Sequence, residues 1–551
     1  MTPIVRTFLV ALVCASLAAI GFGVRAQTAP APHEAARCAA LVDIANLTIR
    51  SAVWKPRTQA EPAQCYVRGA SGRVEYHVQL PPPDAWNRRF LNWGDGLHDG
   101  DLDFAHLRVA QGYAVANSNM GHDAGPEPGA TFAFDNSDAE IDYAYRHILI
   151  TVRAALRVIE VFYGAAPSYS YHEGCSTGGR QGLLAAQRFP ALFDGIAVEA
   201  PANFLHPLNV DHVWDMRHMF DDNFAGALAF DADGDGSLEN LRKAELLRNA
   251  VLAKCDANDG IVDRVVDDPL SCDFVPANDL GPSMCADDVN AAACFTRAQV
   301  AAVQAIYDGP SDSRGRRISK GKAKGSEVDW PLSVIPHAGN DHFPSQMELA
   351  QDFVNFLFYA RDPGVPPRSP TDITSVPNKD VVPPEFAWWE FRFDDYHEGA
   401  GDAMRELMDS DNPDMRRYLV ERGGKLLITF GWADTVIPPE PMVDYYREVI
   451  DVTFGGDLAL ARGAARLFMA PGVNHCGGGP GPDRWDRLAP LVAWVEEGVA
   501  PESIVATHAT DGVVDNERPL CPFPQVARYT GPGDPNDSRN WRAANFTCRD
   551  P

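Results

Sequence analysis

Ser168-Tyr169-Ser170-Tyr171-His172-Glu173-Gly174-Cys175-Ser176-Thr177-Gly178-Gly179-Arg180 is the stretch on which the reading of this chain turns. Aromatic and hydroxyl residues up to His172 favour an extended strand. Gly174-Cys175-Ser176-Thr177-Gly178 is a G-x-S-x-G turn, and Leu183, Leu184, Ala186 and Gln187 continue at helical spacing. Strand, glycine turn and helix make an elbow that lifts a serine hydroxyl into a pocket. Glycines on both sides permit the bend, and the Thr177 amide at the helix start points toward an oxygen that gains charge. The same pattern without a base is only a tight turn, because a serine hydroxyl needs an imidazole within about 3 Å to become a good nucleophile.

Two dipeptides point to that base. Cys175-Ser176 and His475-Cys476 each put a cysteine beside a residue that acyl transfer uses. If these cysteines bond, their Cα atoms lie within about 4.4 to 6.8 Å, and Ser176 and His475 share one small volume. An acid follows from the same logic. Lys425-Leu426-Leu427-Ile428-Thr429-Phe430 is an apolar run of the kind found in buried parallel strands, and it ends at Gly431-Trp432-Ala433-Asp434. A second run, Arg466 to Ala470, leads through Pro471-Gly472-Val473-Asn474 to His475. Serine, aspartate and histidine in that order, each after a strand, are the signature of an α/β-hydrolase fold. Asp434 then orients the imidazole, and His475 carries the proton from Ser176 to the leaving alcohol.

A second oxyanion donor belongs on an earlier strand-to-helix loop. Arg89-Phe90-Leu91-Asn92-Trp93 reads as a strand and opens into Gly94-Asp95-Gly96-Leu97-His98-Asp99-Gly100. The backbone amides of Gly94, Asp95 and Gly96 are the candidates there, beside that of Thr177. His98 reads as a hydrogen-bonded or surface histidine.

The remaining composition places the chain outside the cytoplasm. Arg6, the apolar stretch from Phe8 to Ile20 and the small-residue junction at Val24-Arg25-Ala26 read as a signal peptide over residues 1–26, so a secreted or periplasmic location is expected. Removing it takes away two arginines and moves the net charge from -27 to -29. So acidic a chain disfavours nucleic acid and anionic membranes as partners. Cys14 leaves with the leader, and ten cysteines remain. Sequence order suggests Cys38 with Cys65, Cys255 with Cys272, Cys285 with Cys294, Cys521 with Cys548, and Cys175 with Cys476, although spacing alone does not fix connectivity.

Ser176 and Asp434 are 258 positions apart, far more than the intervening strand-helix units need. A large insertion therefore leaves and re-enters the core. The expected organisation is a catalytic domain of residues 27–204 and 409–551 with a lid over 205–408. Inside that lid, Asp256, Asp259 and Asp263, with the carbonyls of Ile261 and Val265, form a candidate calcium loop, because crowded carboxylates repel unless a hard cation joins them. Asp231 to Glu239 imitates an EF-hand loop but has Arg242 where the closing acid belongs, which argues against a second calcium.

Taken together, the Gly174-Cys175-Ser176-Thr177-Gly178-Gly179-Arg180 elbow, the Gly431-Trp432-Ala433-Asp434 turn, the His475-Cys476-Gly477-Gly478-Gly479-Pro480-Gly481 loop and the Asp256-x-x-Asp259-Gly260 loop resemble the tannase and feruloyl esterase family. The resemblance runs from about Cys38 to Cys548. It implies Ser176, Asp434 and His475 as a triad, a Cys175–Cys476 bond beneath it, a structural calcium in the lid and a small aromatic ester as substrate. One departure is the sequence Gly94-Asp95-Gly96-Leu97-His98, where the family often carries a run of glycines. The function expected is a serine carboxylesterase acting on hydroxycinnamic or hydroxybenzoic esters. The alternatives are a terephthalate half-ester hydrolase and a noncatalytic binding protein that keeps the fold. Trp388, Trp389 and Phe391 are candidate ring-stacking residues, although such clusters also build cores.

Overall fold

Six parallel strands carry the elbow and its partners. The computed structural model describes residues 32–234, 238–362 and 388–551; the expected signal peptide and part of the Asp231 to Glu239 loop lie outside them. A nine-stranded sheet runs in the order β1-β2-β3-β5-β4-β6-β7-β8-β9. Its members are β1 (Thr48–Lys55), β2 (Gln64–Ser71), β3 (Val74–Leu80), β4 (Arg89–Trp93), β5 (Ala114–Ser118), β6 (Tyr169–Cys175), β7 (Gly195–Glu199), β8 (Lys425–Gly431) and β9 (Ala465–Ala470). β1, β2 and β3 pair antiparallel, β3 meets β5 antiparallel, and β4 to β9 are parallel to one another.

Alternation along the central strands explains their unbroken apolar character. Phe90, Ile196, Leu426 and Ile428 face one core with Val152, Leu183, Leu184 and Val443. Leu91, Ala197, Leu427 and Phe468 face the other with Val109, Leu488, Leu491 and Trp494. Helices His147–Tyr163, Thr177–Arg188 and Glu440–Phe454 thus cover one side of the sheet and Leu488–Glu497 the other. A sheet buried on both faces needs apolar residues at every position, which is why period-two patterning disappears there. This is an α/β-hydrolase architecture.

Between β7 and β8 the chain makes a long excursion that begins with the Leu205–Phe224 helix. It has its own core, with Leu247, Val251, Val303, Ile306 and Trp330 fully buried together. Its Ser345–Phe356 helix instead packs into the main core through Met347, Phe353 and Val354. Trp388 and Phe391 are buried: Trp388 packs on Phe220, and Phe391 on Phe358 and Phe393. Both belong to the main core, while Trp389 is only partly buried. Disulfides join Cys38 to Cys65, Cys175 to Cys476, Cys255 to Cys272, Cys285 to Cys294 and Cys521 to Cys548. Five such bonds fit an oxidising compartment. Among the described residues no helix is long and apolar enough to cross a membrane.

Candidate active site

Ser176 directly follows β6 and caps the Thr177–Arg188 helix with φ 58° and ψ -121°. A non-glycine residue there is strained by about 1 to 3 kcal/mol and stays only where its surroundings hold it. They do: its amide donates to Glu199 O at 3.0 Å, and its carbonyl accepts from Arg180 and Ala202 at 3.0 and 3.1 Å. The glycines serve close approach as well as bending. A Cβ on Gly174 would stand 2.6 Å from the Gly178 backbone, and one on Gly178 would stand 2.8 Å from Gly94. Three backbones therefore stack without side chains between them, which brings the Gly94 loop against the helix start.

His475 Nδ1 lies 2.8 Å from Asp434 Oδ2. Asp434 is fully buried, and its other oxygen accepts from the Ile437 amide at 2.8 Å. Burial disfavours the imidazolium, but the charge and hydrogen bond of Asp434 outweigh it and raise His475 above its ordinary 6.5. Glu199 and Asp329 add smaller contributions in the same direction. The Cys175–Cys476 bond, with Cα atoms 6.1 Å apart, joins the serine's neighbour to the histidine's neighbour.

The Gly94 loop differs in detail from its sequence reading. The amide of Gly94 donates to Glu173 O at 2.9 Å, and the amide of Asp95 faces Gln181 Oε1 at 3.3 Å. Both N–H groups thus have partners within the protein, one on β6 and one on the Thr177–Arg188 helix. The Asp95 side chain makes contacts that the sequence did not signal. Buried, it accepts from Gln181 at 2.8 Å and from Asn117, and so pins the loop. Desolvation pushes its carboxyl well above the usual range. His98 is mostly buried, 3.9 Å from Asp352, and desolvation lowers it to about 4.

Around the candidate calcium loop, Asp256 accepts from the amides of Asp263 and Arg264 at 3.2 and 3.1 Å, and Asp259 accepts from Ile261 at 3.0 Å. Two further residues complete the group. Arg518 pairs with Asp263 and Asp267, both at 2.8 Å, and approaches Asp259 at 3.7 Å. Three carboxylates thus face one guanidinium, with Asp256 beside them, and desolvation drives Asp259 up to about 7. That excess of negative charge and the oxygen-only donor set fit a hard divalent cation. Among the described residues, the carboxylate oxygens that converge closely enough to hold a metal are those of Asp95, Asp99 and Asp103 and those of Asp231, Asp233 and Glu239; Asp256, Asp259 and Asp263 do not form such a group.

A strained serine after β6, with an aspartate after β8 and a histidine after β9, follows the chain order of the α/β-hydrolases. The family profile described as tannase and feruloyl esterase matches residues 63–544, and the chain belongs to that family of carboxylic ester hydrolases. It is 31% identical to mono(2-hydroxyethyl) terephthalate hydrolase of Piscinibacter sakaiensis, over 92% of this chain and 89% of that protein. It is 30% identical to a probable feruloyl esterase of Arthroderma benhamiae, over 96% and 90%. Its fold matches feruloyl esterase B from Aspergillus oryzae with a TM-score of 0.77 at 22% identity, covering 94% of this chain and all of that one. Tannin acyl hydrolase from Aspergillus niger matches with a TM-score of 0.68 at 20% identity, covering 92% of each.

Proposed function

We propose that this esterase hydrolyses esters of aromatic acids of the hydroxycinnamic or hydroxybenzoic kind, in the manner of a feruloyl esterase or tannase, through an acyl-enzyme on Ser176. His475 takes the hydroxyl proton as Ser176 Oγ attacks the ester carbonyl, and returns it to the alcohol as the carbon–oxygen bond breaks. A water deprotonated by His475 then releases the acid and regenerates the serine. Asp434 keeps the imidazole in the tautomer that presents a basic nitrogen to Ser176. The amides of Thr177 and Gly96 stabilise the oxyanion.

The observation that carries this reading is the His475–Asp434 hydrogen bond at 2.8 Å, on a loop bonded through Cys476 to the residue beside Ser176. The aromatic acyl group is supported by the substrates named for the related feruloyl esterases and tannase. A second reading, a terephthalate half-ester hydrolase, is favoured by the 31% identity to an enzyme of that name. Residues 205–408 serve as the lid over the site. Asp256, Asp259 and Asp263, with the Ile261 and Val265 carbonyls, hold a structural calcium there, which supplies charge balance to the lid and takes no part in the acyl transfer. The enzyme works outside the cytoplasm after loss of residues 1–26.

Turnover of methyl ferulate, methyl gallate, mono(2-hydroxyethyl) terephthalate and short p-nitrophenyl esters tests the assignment. Preference for ferulate or gallate is expected. Preference for the terephthalate half-ester selects the second reading, and inertness toward all of them overturns both.

A further inference from the structure

The two loops that supply the candidate acid and base share one tether from the lid. Asp329 stands just before the short Trp330–Ser333 helix, whose Trp330 is fully buried in the lid core. Its Oδ2 accepts from the Thr435 hydroxyl at 2.6 Å, and its Oδ1 accepts from Asn474 Nδ2 at 3.2 Å. Thr435 directly follows Asp434, and Asn474 directly precedes His475. A single carboxylate therefore spans the residues next to both members of the pair.

We propose that Asp329 is a positioning residue for ester hydrolysis: through Thr435 and Asn474 it sets the acid loop against the base loop, so that the lid fixes the register of Asp434 and His475. The inference rests on the triad proposed above.

Neighbouring contacts make Thr435 a fixed point. Ser333 donates to its hydroxyl at 2.8 Å, Gln346 Nε2 donates to its carbonyl at 2.6 Å, and His212 Nε2 meets the Val436 carbonyl at 2.7 Å. The Thr435 proton is thereby directed to Asp329, in the chain Ser333 to Thr435 to Asp329. A hydroxyl that donates to a carboxylate while accepting from another hydroxyl is held more firmly than either bond alone would hold it. The negative charge also matters. His475 is faced by Asp434 from β8, Glu199 from β7, Asp329 from the lid and His212 from the Leu205–Phe224 helix, and Glu199 is itself paired with Arg487. Of these, Asp329 is the lid's own carboxylate, and it favours the charged imidazole.

Three variants separate geometry from charge, with p-nitrophenyl acetate as the probe and circular dichroism confirming the fold. Thr435→Val cuts one tether and keeps the charge; Asp329→Asn removes the charge but still accepts from Thr435; Asp329→Ala removes both. Asp329→Ala and Thr435→Val should lower kcat by about tenfold with KM changed by less than about twofold, because the loss falls on the transition state. Asp329→Asn should move the acid limb of kcat/KM to lower pH, whereas Thr435→Val leaves it in place. If Asp329→Ala does not fold, the other two carry the test. Wild-type kcat and an unmoved acid limb in folded Asp329 variants, with Ser176→Ala inactive, would overturn the positioning role alone. An active Ser176→Ala would instead remove the triad on which the role depends.

Discussion

Cys175 and Cys476 are bonded across 301 residues of sequence, and each adjoins a residue of the candidate site: Ser176 follows the first, and His475 precedes the second. The serine is delivered by the turn after β6 and the histidine by the loop after β9, with β7 and β8 between them. The bond removes one degree of freedom that matters, the separation of those two loops.

Replacing both cysteines with alanine should therefore cost stability and activity together. Closing a loop this long contributes about 2 to 5 kcal/mol through the unfolded chain. A lowered Tm in a thermal melt is expected, together with a fall in kcat that exceeds the change in KM. Unaltered kcat in the reduced or substituted protein would show that the loops keep their places without the bond.

The raised His475 predicts the pH dependence. Attack requires a neutral imidazole, so kcat/KM should fall as the pH drops through a value above the ordinary 6.5. In Asp434→Asn the strongest support for the imidazolium is gone, and the remaining activity should retain its acid limb at lower pH, with kcat down by about 10⁴. For stability the sign is fixed by the same shift. A folded value above the unfolded one stabilises the fold fully below about pH 6.5, and the contribution is lost as the pH rises through the folded value.

Chelation probes the acidic loop. EDTA should lower Tm and added Ca²⁺ should restore it, by an amount that grows with free cation, since an ion that binds only the folded state stabilises it. Asp259→Asn should blunt that response while leaving the site near Ser176 intact. A melt indifferent to both EDTA and Ca²⁺ would show that the loop holds no stabilising cation.

Asp95→Ala should harm the oxyanion loop without touching the substrate. It leaves the buried Asn117 and Gln181 donors without their acceptor, at about 1 to 3 kcal/mol for each orphaned group. Lower kcat and faster amide exchange across residues 94–100 are expected. A variant with normal kcat would assign Asp95 to packing alone.

How much of this could be seen in the amino-acid string depends on whether the signal is local. The elbow was legible because strand, glycine turn and helix lie within about 20 consecutive residues, each with its own periodicity. Lys425 to Asp434 and Arg466 to His475 were legible for the same reason, as apolar runs that end in a chemically useful residue. Asp329, Asp95 and Arg518 were not. Asp329 acts through Thr435 and Asn474, more than 100 residues away, and no spacing rule links them. Asp95 was read as a backbone donor because its loop is rich in glycine, and its buried side-chain contacts with Asn117 and Gln181 have no local signal. Arg518 meets Asp263 and Asp267 from a distant hairpin, so only the folded chain brings the pair together. For Trp388 and Phe391 the sequence left two readings open, ring stacking and core, and the fold buries both in the main core.

Covalent trapping tests the central claim most directly. The protein is treated with a fluorophosphonate, which phosphonylates only an activated serine, and the modified peptide is identified by mass spectrometry. The account predicts stoichiometric modification at Ser176, abolished in Asp434→Asn and His475→Ala. Modification at a different serine, or none in protein that still hydrolyses the ester panel, would contradict it.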